Sequence, residues 1–163
     1  MAFAANSDLP FDAIDEELRT AAQCTQDLFA KIIAKACLRF PLLGRSERAA
    51  AIVRLIESGA WTDSALALLE LELPLWKIRR VAYESGEWFC SLSRTPNLPI
   101  EYDDSVDTAH PVLALAILRT LVEARRRANA ARQAAPAERP AALEHVSPFA
   151  PASDVALCCD NFA

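Results

Sequence analysis

The residues with the greatest chemical capacity lie in one short stretch, from Glu101 to His110. Three further carboxylates, Asp103, Asp104 and Asp107, stand between these two residues. Carboxylate oxygens can bind Ca²⁺ or Mg²⁺, but the spacing is not that of an EF-hand loop, and its turn glycine is missing. The sequence therefore favours a solvated acidic loop that interacts with the N-terminus of the next helix, and it predicts no metal site.

A second candidate for chemistry is His110, which could act as a general acid or base. No serine or cysteine nucleophile can be identified as its partner, and the motif Gly-x-Ser-x-Gly is absent. The glycines Gly44, Gly59 and Gly86 each fall where a turn is expected, so none remains for a phosphate-binding loop. We therefore interpret His110 as a histidine at a helix start and predict no catalytic residue and no cofactor.

A run of arginines, Arg125-Arg126-Arg127, with Arg132 close behind, could contact the phosphates of a nucleic acid. Three consecutive arginines spread over more than half of a helix circumference, however, and near a helix C-terminus they complement the dipole. The chain also carries a net charge of −5. This balance disfavours nucleic acid as a partner.

The five cysteines include no Cys-x-x-Cys pair, and the adjacent Cys158 and Cys159 have only His145 nearby as a further zinc ligand. We interpret all five as reduced thiols. The N-terminal residues lack the basic and apolar regions of a secretory signal, so none is predicted. The longest apolar run, residues 112–118, is far shorter than the roughly 20 residues of a membrane span. The sequence therefore predicts a cytoplasmic protein without a membrane segment.

These side chains must be positioned by a chain of 163 residues, which is long enough for one domain with its own core. Residues 1–10 are predicted to be a flexible leader, and residues 11–133 a single domain. From residue 134 to residue 163 the composition turns to proline and alanine without helical periodicity, which predicts a disordered tail.

Most of the domain is predicted to be helical. Apolar residues at helical spacing indicate one helix or two within residues 11–38, ended by Phe40-Pro41. A further helix follows Ser46 as N-cap and ends at Gly59, and another runs from Thr62 to Pro74. A very apolar last helix is predicted to start near Thr108.

Residues 76–93 show strand periodicity and form the predicted hairpin, with Ser85-Gly86 as a two-residue turn. This turn pairs Tyr83 with Trp88, Val81 with Cys90, and Arg79 with Leu92. The face predicted to pack on the helices holds Val81, Tyr83, Trp88, Cys90 and Leu92, and the other face holds Ile78, Arg80, Ala82, Phe89 and Ser91. The fold predicted is α+β and mainly helical, with about four to five helices and one two-stranded antiparallel hairpin.

The second hairpin face and its surroundings form the predicted working surface. Trp76 and Phe89 are expected to face outward beside arginines, as interface anchors do. The candidate interaction surface comprises Trp76, Ile78, Arg80, Phe89, Tyr102 and His110. We predict a non-enzymatic protein-interaction or regulatory module that binds a protein partner or a second copy. A free hairpin edge could also add a strand from a partner. The alternative is a small-ligand-binding protein or minor enzyme with a pocket near Trp76, Tyr102 and His110.

One segment carries a resemblance. The sequence Leu73-Pro-Leu-Trp-Lys-Ile-Arg-Arg-Val-Ala-Tyr-Glu-Ser-Gly-Glu-Trp, followed by His110-Pro and the apolar helix, resembles small uncharacterised proteins of alphaproteobacteria. The resemblance covers about a third of the chain, and it implies no known activity and assigns no functional residue.

Overall fold

The structure is a computed structural model that describes residues 9–99 and 103–134. Within these ranges six helices accompany one antiparallel sheet of three strands, in the chain order α1 Leu9–Thr20, α2 Gln26–Ala36, α3 Arg39–Leu42, α4 Glu47–Glu57, α5 Trp61–Glu72, β1 Lys77–Glu84, β2 Glu87–Ser93, β3 Val106–His110 and α6 Leu113–Ala134. The mainly helical α+β prediction is confirmed. No helix in the described ranges is long and apolar enough to cross a membrane. Most of the predicted leader and tail lie outside the described residues.

The N-terminal region contains two helices, which decides the alternative that the sequence left open. Thr25 begins α2, and its hydroxyl accepts a hydrogen bond from the N–H of Leu28 at 3.2 Å. The prediction that Phe40-Pro41 ends this helix is wrong, because α2 already ends at Ala36. Both residues lie instead in the short α3, which brings the number of helices above the predicted four to five.

The next two helices follow their local signals closely. Ser46 is the N-cap of α4, where its hydroxyl accepts the N–H of Ala49 at 3.2 Å, and Gly59 adopts the expected left-handed conformation with φ of +74°. Helix α5 begins at Trp61, one residue before the predicted Thr62. The Trp61 ring stacks on Phe29, with ring centroids 5.9 Å apart, so the start of α5 contacts α2.

The sheet has one more strand than predicted. Residues 106–110 pair with β2 as β3, so the helix predicted from Thr108 starts only at Leu113. Val106, Thr108 and His110 share the face that α6 covers, and Thr108 donates or accepts a hydrogen bond with Thr120 of α6 at 2.7 Å. The prediction of a two-stranded hairpin is therefore wrong, because a neighbour from beyond the loop completes the sheet.

The hairpin register is as predicted near the turn and differs further away. Tyr83 pairs with Trp88 and Val81 with Cys90, as predicted. Ser85 and Gly86 have φ of +54° and +92°, as a type I′ turn requires. Leu92 pairs with Ile78, because Arg79 is an extra residue in a β-bulge. The predicted pair of Arg79 and Leu92 is therefore wrong. The predicted placement of Ile78 on the face opposite Leu92 is wrong too, because cross-strand partners lie on the same face.

Helix α6 is the centre of the core. It packs against α1, α5, β2 and β3, and Ala114–Leu118 and Leu121 are buried. Burial raises the pKa of the Cys90 thiol on β2 under this helix. The apolar character of residues 112–118 follows from this position, because elements lie against several sides of the helix.

Candidate interaction surface on the sheet

The directions of the backbone groups at both sheet edges follow from the turn. In a hairpin with a two-residue turn, the flanking residues Glu84 and Glu87 exchange backbone hydrogen bonds. Alternation then directs the N–H and C=O of Ala82 towards β2 and those of Val81 and Tyr83 away from it. On β2, the N–H and C=O groups that face β3 belong to Trp88, Cys90 and Leu92, and their partners on β3 are His110, Thr108 and Val106. The backbone groups of residues 107 and 109 therefore point away from β2.

Two carbonyls along the outer edge of β3 are bonded by arginine side chains of α6. Arg119 donates from Nη1 to the outward carbonyl of Ala109 at 2.7 Å, and its other nitrogens hold both Asp15 carboxylate oxygens at 2.9 and 3.2 Å. Arg127 donates to the carbonyl of Ser105, just before the strand, at 2.8 Å. These contacts satisfy edge carbonyls that could otherwise pair with another strand.

The outer edge of β1 has no such cover within the described residues. The strand order β1-β2-β3 leaves β1 with one strand neighbour, and no described side chain bonds to the outward backbone groups of Val81 or Tyr83. The bulge at Arg79 interrupts the strand, so its regular part is Arg80–Glu84. A short, uninterrupted edge of five residues is therefore available for backbone pairing.

The side chains of β1 are exposed on both faces. Ile78, Val81 and Tyr83 are 39%, 40% and 58% exposed, whereas Cys90 and Leu92 on β2 are buried. The prediction that Val81 and Tyr83 pack on the helices is therefore wrong for these two residues. The reason is the added strand, because α6 lies over β2 and β3 and does not extend over β1.

The predicted surface residues divide in the structure. Trp76 is only 7% exposed and belongs to the core with Leu69 and Leu73, so the expectation that its ring faces outward is wrong. The turn after α5 directs the side chain inward. In this turn the backbone N–H of Trp76 donates a hydrogen bond to the carbonyl of Leu73 at 2.9 Å. Phe89, 37% exposed, lies on the sheet face away from α6, beside Ala82 and paired with Ala109.

Of the two remaining predicted surface residues, Tyr102 and His110, the structure describes only His110. Tyr102 lies outside the described residues. The prediction that His110 belongs to the exposed surface is wrong, because His110 is buried at the end of β3. Its Nδ1 accepts the N–H of Val112 at 2.9 Å, within the turn that joins β3 to α6. The groove beside Trp76 has a volume of about 160 Å³ and is lined by Leu66, Leu69, Glu70, Trp76, Lys77 and Ile78, without His110. Small-molecule sites are commonly about 300–1,000 Å³.

The acidic stretch contributes to structure through Asp103. Its carboxylate accepts hydrogen bonds from the Ser93 hydroxyl at 2.5 Å and from the guanidinium of the bulge residue Arg79. These two groups, Ser93 first, lower the pKa of Asp103. Asp104 lies 3.6 Å from Arg127. No group of three side chains suited to a metal ion occurs among the described residues, and Glu101 lies outside them.

The consecutive arginines of α6 have intramolecular partners. Arg125 is buried and donates to the Ala36 carbonyl at 3.2 Å, while Arg126 and Arg127 both bind Glu123, at 2.8 and 3.1 Å. The guanidinium groups of these three arginines are therefore engaged in contacts within the chain, and the expectation about nucleic acid stays a prediction.

One buried carboxylate went unnoticed in the sequence. Glu72 is 2% exposed and accepts the N–H groups of Leu38, Arg39 and Phe40 at 3.0, 3.1 and 2.5 Å. It thereby holds the first turn of α3. A signal existed, because a carboxylate in the last turn of a helix opposes the dipole and is favourable only with another partner.

Comparison with known proteins adds no relative to this description. No protein-family model, no curated protein and no solved structure matches the chain. The resemblance to small alphaproteobacterial proteins therefore stays a prediction, and the geometry of the chain is the basis for any assignment of function.

Proposed function

We propose that this chain is a non-enzymatic protein-interaction module whose contact surface is the free edge and exposed apolar side chains of β1. The single observation that carries the proposal is the state of β1, which has an unpaired outer edge within the described structure and three large apolar side chains at 39–58% exposure. Backbone groups and apolar side chains presented together are what strand-addition interfaces use.

Other exposed apolar side chains support a contact less well. Leu38 and Leu42, on and beside α3, are 51% and 84% exposed. The N–H groups of the first turn of α3 are held by Glu72, and no strand edge accompanies these leucines. Single exposed apolar residues are common on soluble proteins, whereas apolar residues along an open strand edge are usually avoided.

The test is to add charge to the surface and measure association. The full chain with Val81→Lys and Tyr83→Lys is compared with wild type by light scattering of the purified protein and by affinity capture from native lysate. We expect the double variant to lose self-association and any specific captured partner, because a lysine pair on β1 prevents apolar contact at this surface.

The matched control is Val53→Lys on α4, because Val53 is 41% exposed and Val81 is 40% exposed. This variant should associate as wild type does, and all variants should unfold within a few degrees of one another. If the Val81 and Tyr83 variant associates and captures proteins as well as wild type, the proposed function is wrong.

A further inference from the structure

We infer that the partner of β1 is a second copy of this chain, paired antiparallel along Arg80–Glu84 about a two-fold axis at Ala82. The inference rests on the proposed function and names its partner. In this register Ala82 faces Ala82 of the second copy, Val81 faces Tyr83, and Arg80 faces Glu84. Each of the last two pairs occurs twice, because an isologous contact repeats every interaction.

The backbone directions agree with this register. Val81 and Tyr83 have outward N–H and C=O groups, as derived from the type I′ turn at Ser85-Gly86. Opposite each other across the axis, they form two hydrogen-bonded pairs, with Ala82 as the non-hydrogen-bonded pair between them. The small side chain of Ala82 suits the axis, because side chains in a non-hydrogen-bonded pair approach most closely.

The charges agree as well. Arg80 and Glu84 lie at the two ends of the regular segment and already form an ion pair within the chain, with side chains 61% and 52% exposed. Pairing about Ala82 places Arg80 of each copy opposite Glu84 of the other copy. The ion pair within each chain can then be replaced by two ion pairs between the copies, and no charge is buried without a partner. Opposite charges directly across a strand pair are favourable, and like charges are not.

The apolar side chains gain cover in the same arrangement. Val81 and Tyr83 lie on the α6 side of the sheet, where Tyr83 also contacts Trp88, with ring centroids 5.1 Å apart. A two-fold axis through the sheet keeps α6 of both copies on one side, so these residues and their counterparts form an apolar strip between the two helical layers.

The bulge explains why this register is preferred over a longer pairing. Arg79 is the extra residue and its guanidinium is held by Asp103, so the edge loses its alternation at that point. A longer partner strand would meet the bulge, whereas pairing about Ala82 uses only residues 80–84. A contact of five residues a side is smaller than a standard interface of about 1,600 Å², so the dimer is expected to depend on concentration.

The first test is a disulfide across the axis. Paired residues of this type have Cα atoms about 4.5 Å apart, within the range of about 4.4–6.8 Å that a disulfide spans. In a full chain with Cys158→Ser and Cys159→Ser, Ala82→Cys should form a covalent dimer under mild oxidation, at twice the chain mass of 17.8 kDa. Ala50→Cys, at an exposed alanine on α4, is the matched control and should react no faster than random collision allows.

The second test is a charge exchange, which separates self-pairing from pairing with another protein. Arg80→Glu alone should weaken dimerisation about tenfold in a sedimentation series, because it sets like charges opposite each other at two places. Arg80→Glu combined with Glu84→Arg should recover dimerisation to about the wild-type level. A different protein as partner would not carry the compensating substitution, so rescue of dimerisation is specific to pairing with a second copy.

The outcomes are distinct for the two proposals. If Ala82→Cys cross-links no faster than Ala50→Cys, or if the double exchange does not rescue dimerisation, the second copy is not the partner. In that case loss of a captured partner in the Val81 and Tyr83 variant still supports the interaction function. If that variant also leaves every association unchanged, both proposals fail.

Discussion

The two outer strands of the sheet, β1 and β3, are treated differently by the rest of the chain. Each has one strand neighbour. Strand β3, however, lies under α6, and the outward carbonyl of Ala109 accepts a hydrogen bond from Arg119. Strand β1 lies beyond the helix, and its outward groups at Val81 and Tyr83 have no partner within the described residues. Arginine side chains therefore bond outward carbonyls at one edge, whereas no described side chain does so at the regular part of the other.

The difference teaches where a contact can form. Open strand edges tend to aggregate, and natural proteins shorten, charge or cover them. Here the bulge at Arg79 and the charges of Arg80 and Glu84 limit the open edge to one short segment without covering it. An edge that is restricted in register but still available is suited to a specific partner, and we therefore interpret β1 as the working edge.

The largest difference between the two edge strands is expected when one valine on each strand is replaced by alanine and the free energy of unfolding is measured. Val106→Ala on β3 should lower the free energy of unfolding by about 2 kcal/mol, because Val106 is fully buried under α6. Val81→Ala on β1 should cost about 0.5 kcal/mol or less, since Val81 is 40% exposed. Urea unfolding at low protein concentration measures both, and equal losses would contradict the assignment of covered and open edges.

A smaller effect is expected from matched arginines. Arg119→Ala should cost about 1–2 kcal/mol, because it removes the bonds to Asp15 and to the Ala109 carbonyl. Arg80→Ala should cost less than about 1 kcal/mol, since its pair with Glu84 is mostly exposed. The Arg119 variant should also aggregate more readily on storage, as it uncovers an edge carbonyl. A larger loss for Arg80→Ala would reverse the comparison.

A pH-dependent change in stability is expected at the start of β1, where Asp103 binds the bulge residue Arg79. The pKa of Asp103 is lowered from 3.8 by the Ser93 hydroxyl and by Arg79, so its stabilising contribution is present above pH 3.8 and is lost as pH falls through the lowered pKa. Asp103→Asn should therefore lower the urea midpoint at pH 7. The difference from wild type should shrink towards zero in acid, and a constant difference at all pH values would exclude this origin.

The finest distinction is between neighbouring amides of β1. In dilute protein, the N–H groups of Val81 and Tyr83 should exchange with solvent about tenfold faster or more than that of Ala82, which is directed to β2. Raising the concentration should slow the exchange of Val81 and Tyr83 as the dimer forms. Hydrogen exchange resolved by residue measures this alternation, and uniform protection along β1 would contradict the derived backbone directions.

Features that depend on near neighbours could be predicted from the sequence. The Ser46 cap, the Gly59 turn and the pairs around Ser85-Gly86 were predicted because each depends on a few adjacent residues. Strand β3 was missed, although Val106, Thr108 and His110 alternate, because its pairing crosses a loop and its acidic neighbours favour solvent. The bulge was missed because Arg79 is held by Asp103, 24 residues away.

The candidate site shows the same division. Phe89 and Ile78 were predicted to be exposed, and they are, but Trp76 is buried and Val81 and Tyr83 are exposed against prediction. Alternation along a strand assigns residues to one face or the other. It does not say which part of that face a helix will cover.

The sequence by itself determined a mainly helical domain, a hairpin with a two-residue turn at Ser85-Gly86 and the local register around it, because these follow from turn chemistry and hydrophobic period. Only the tertiary structure decided that a third strand joins β2, that α6 covers this side of the sheet, and that β1 becomes the open edge. These outcomes depend on contacts between residues far apart in the chain, whose free energies no local pattern records.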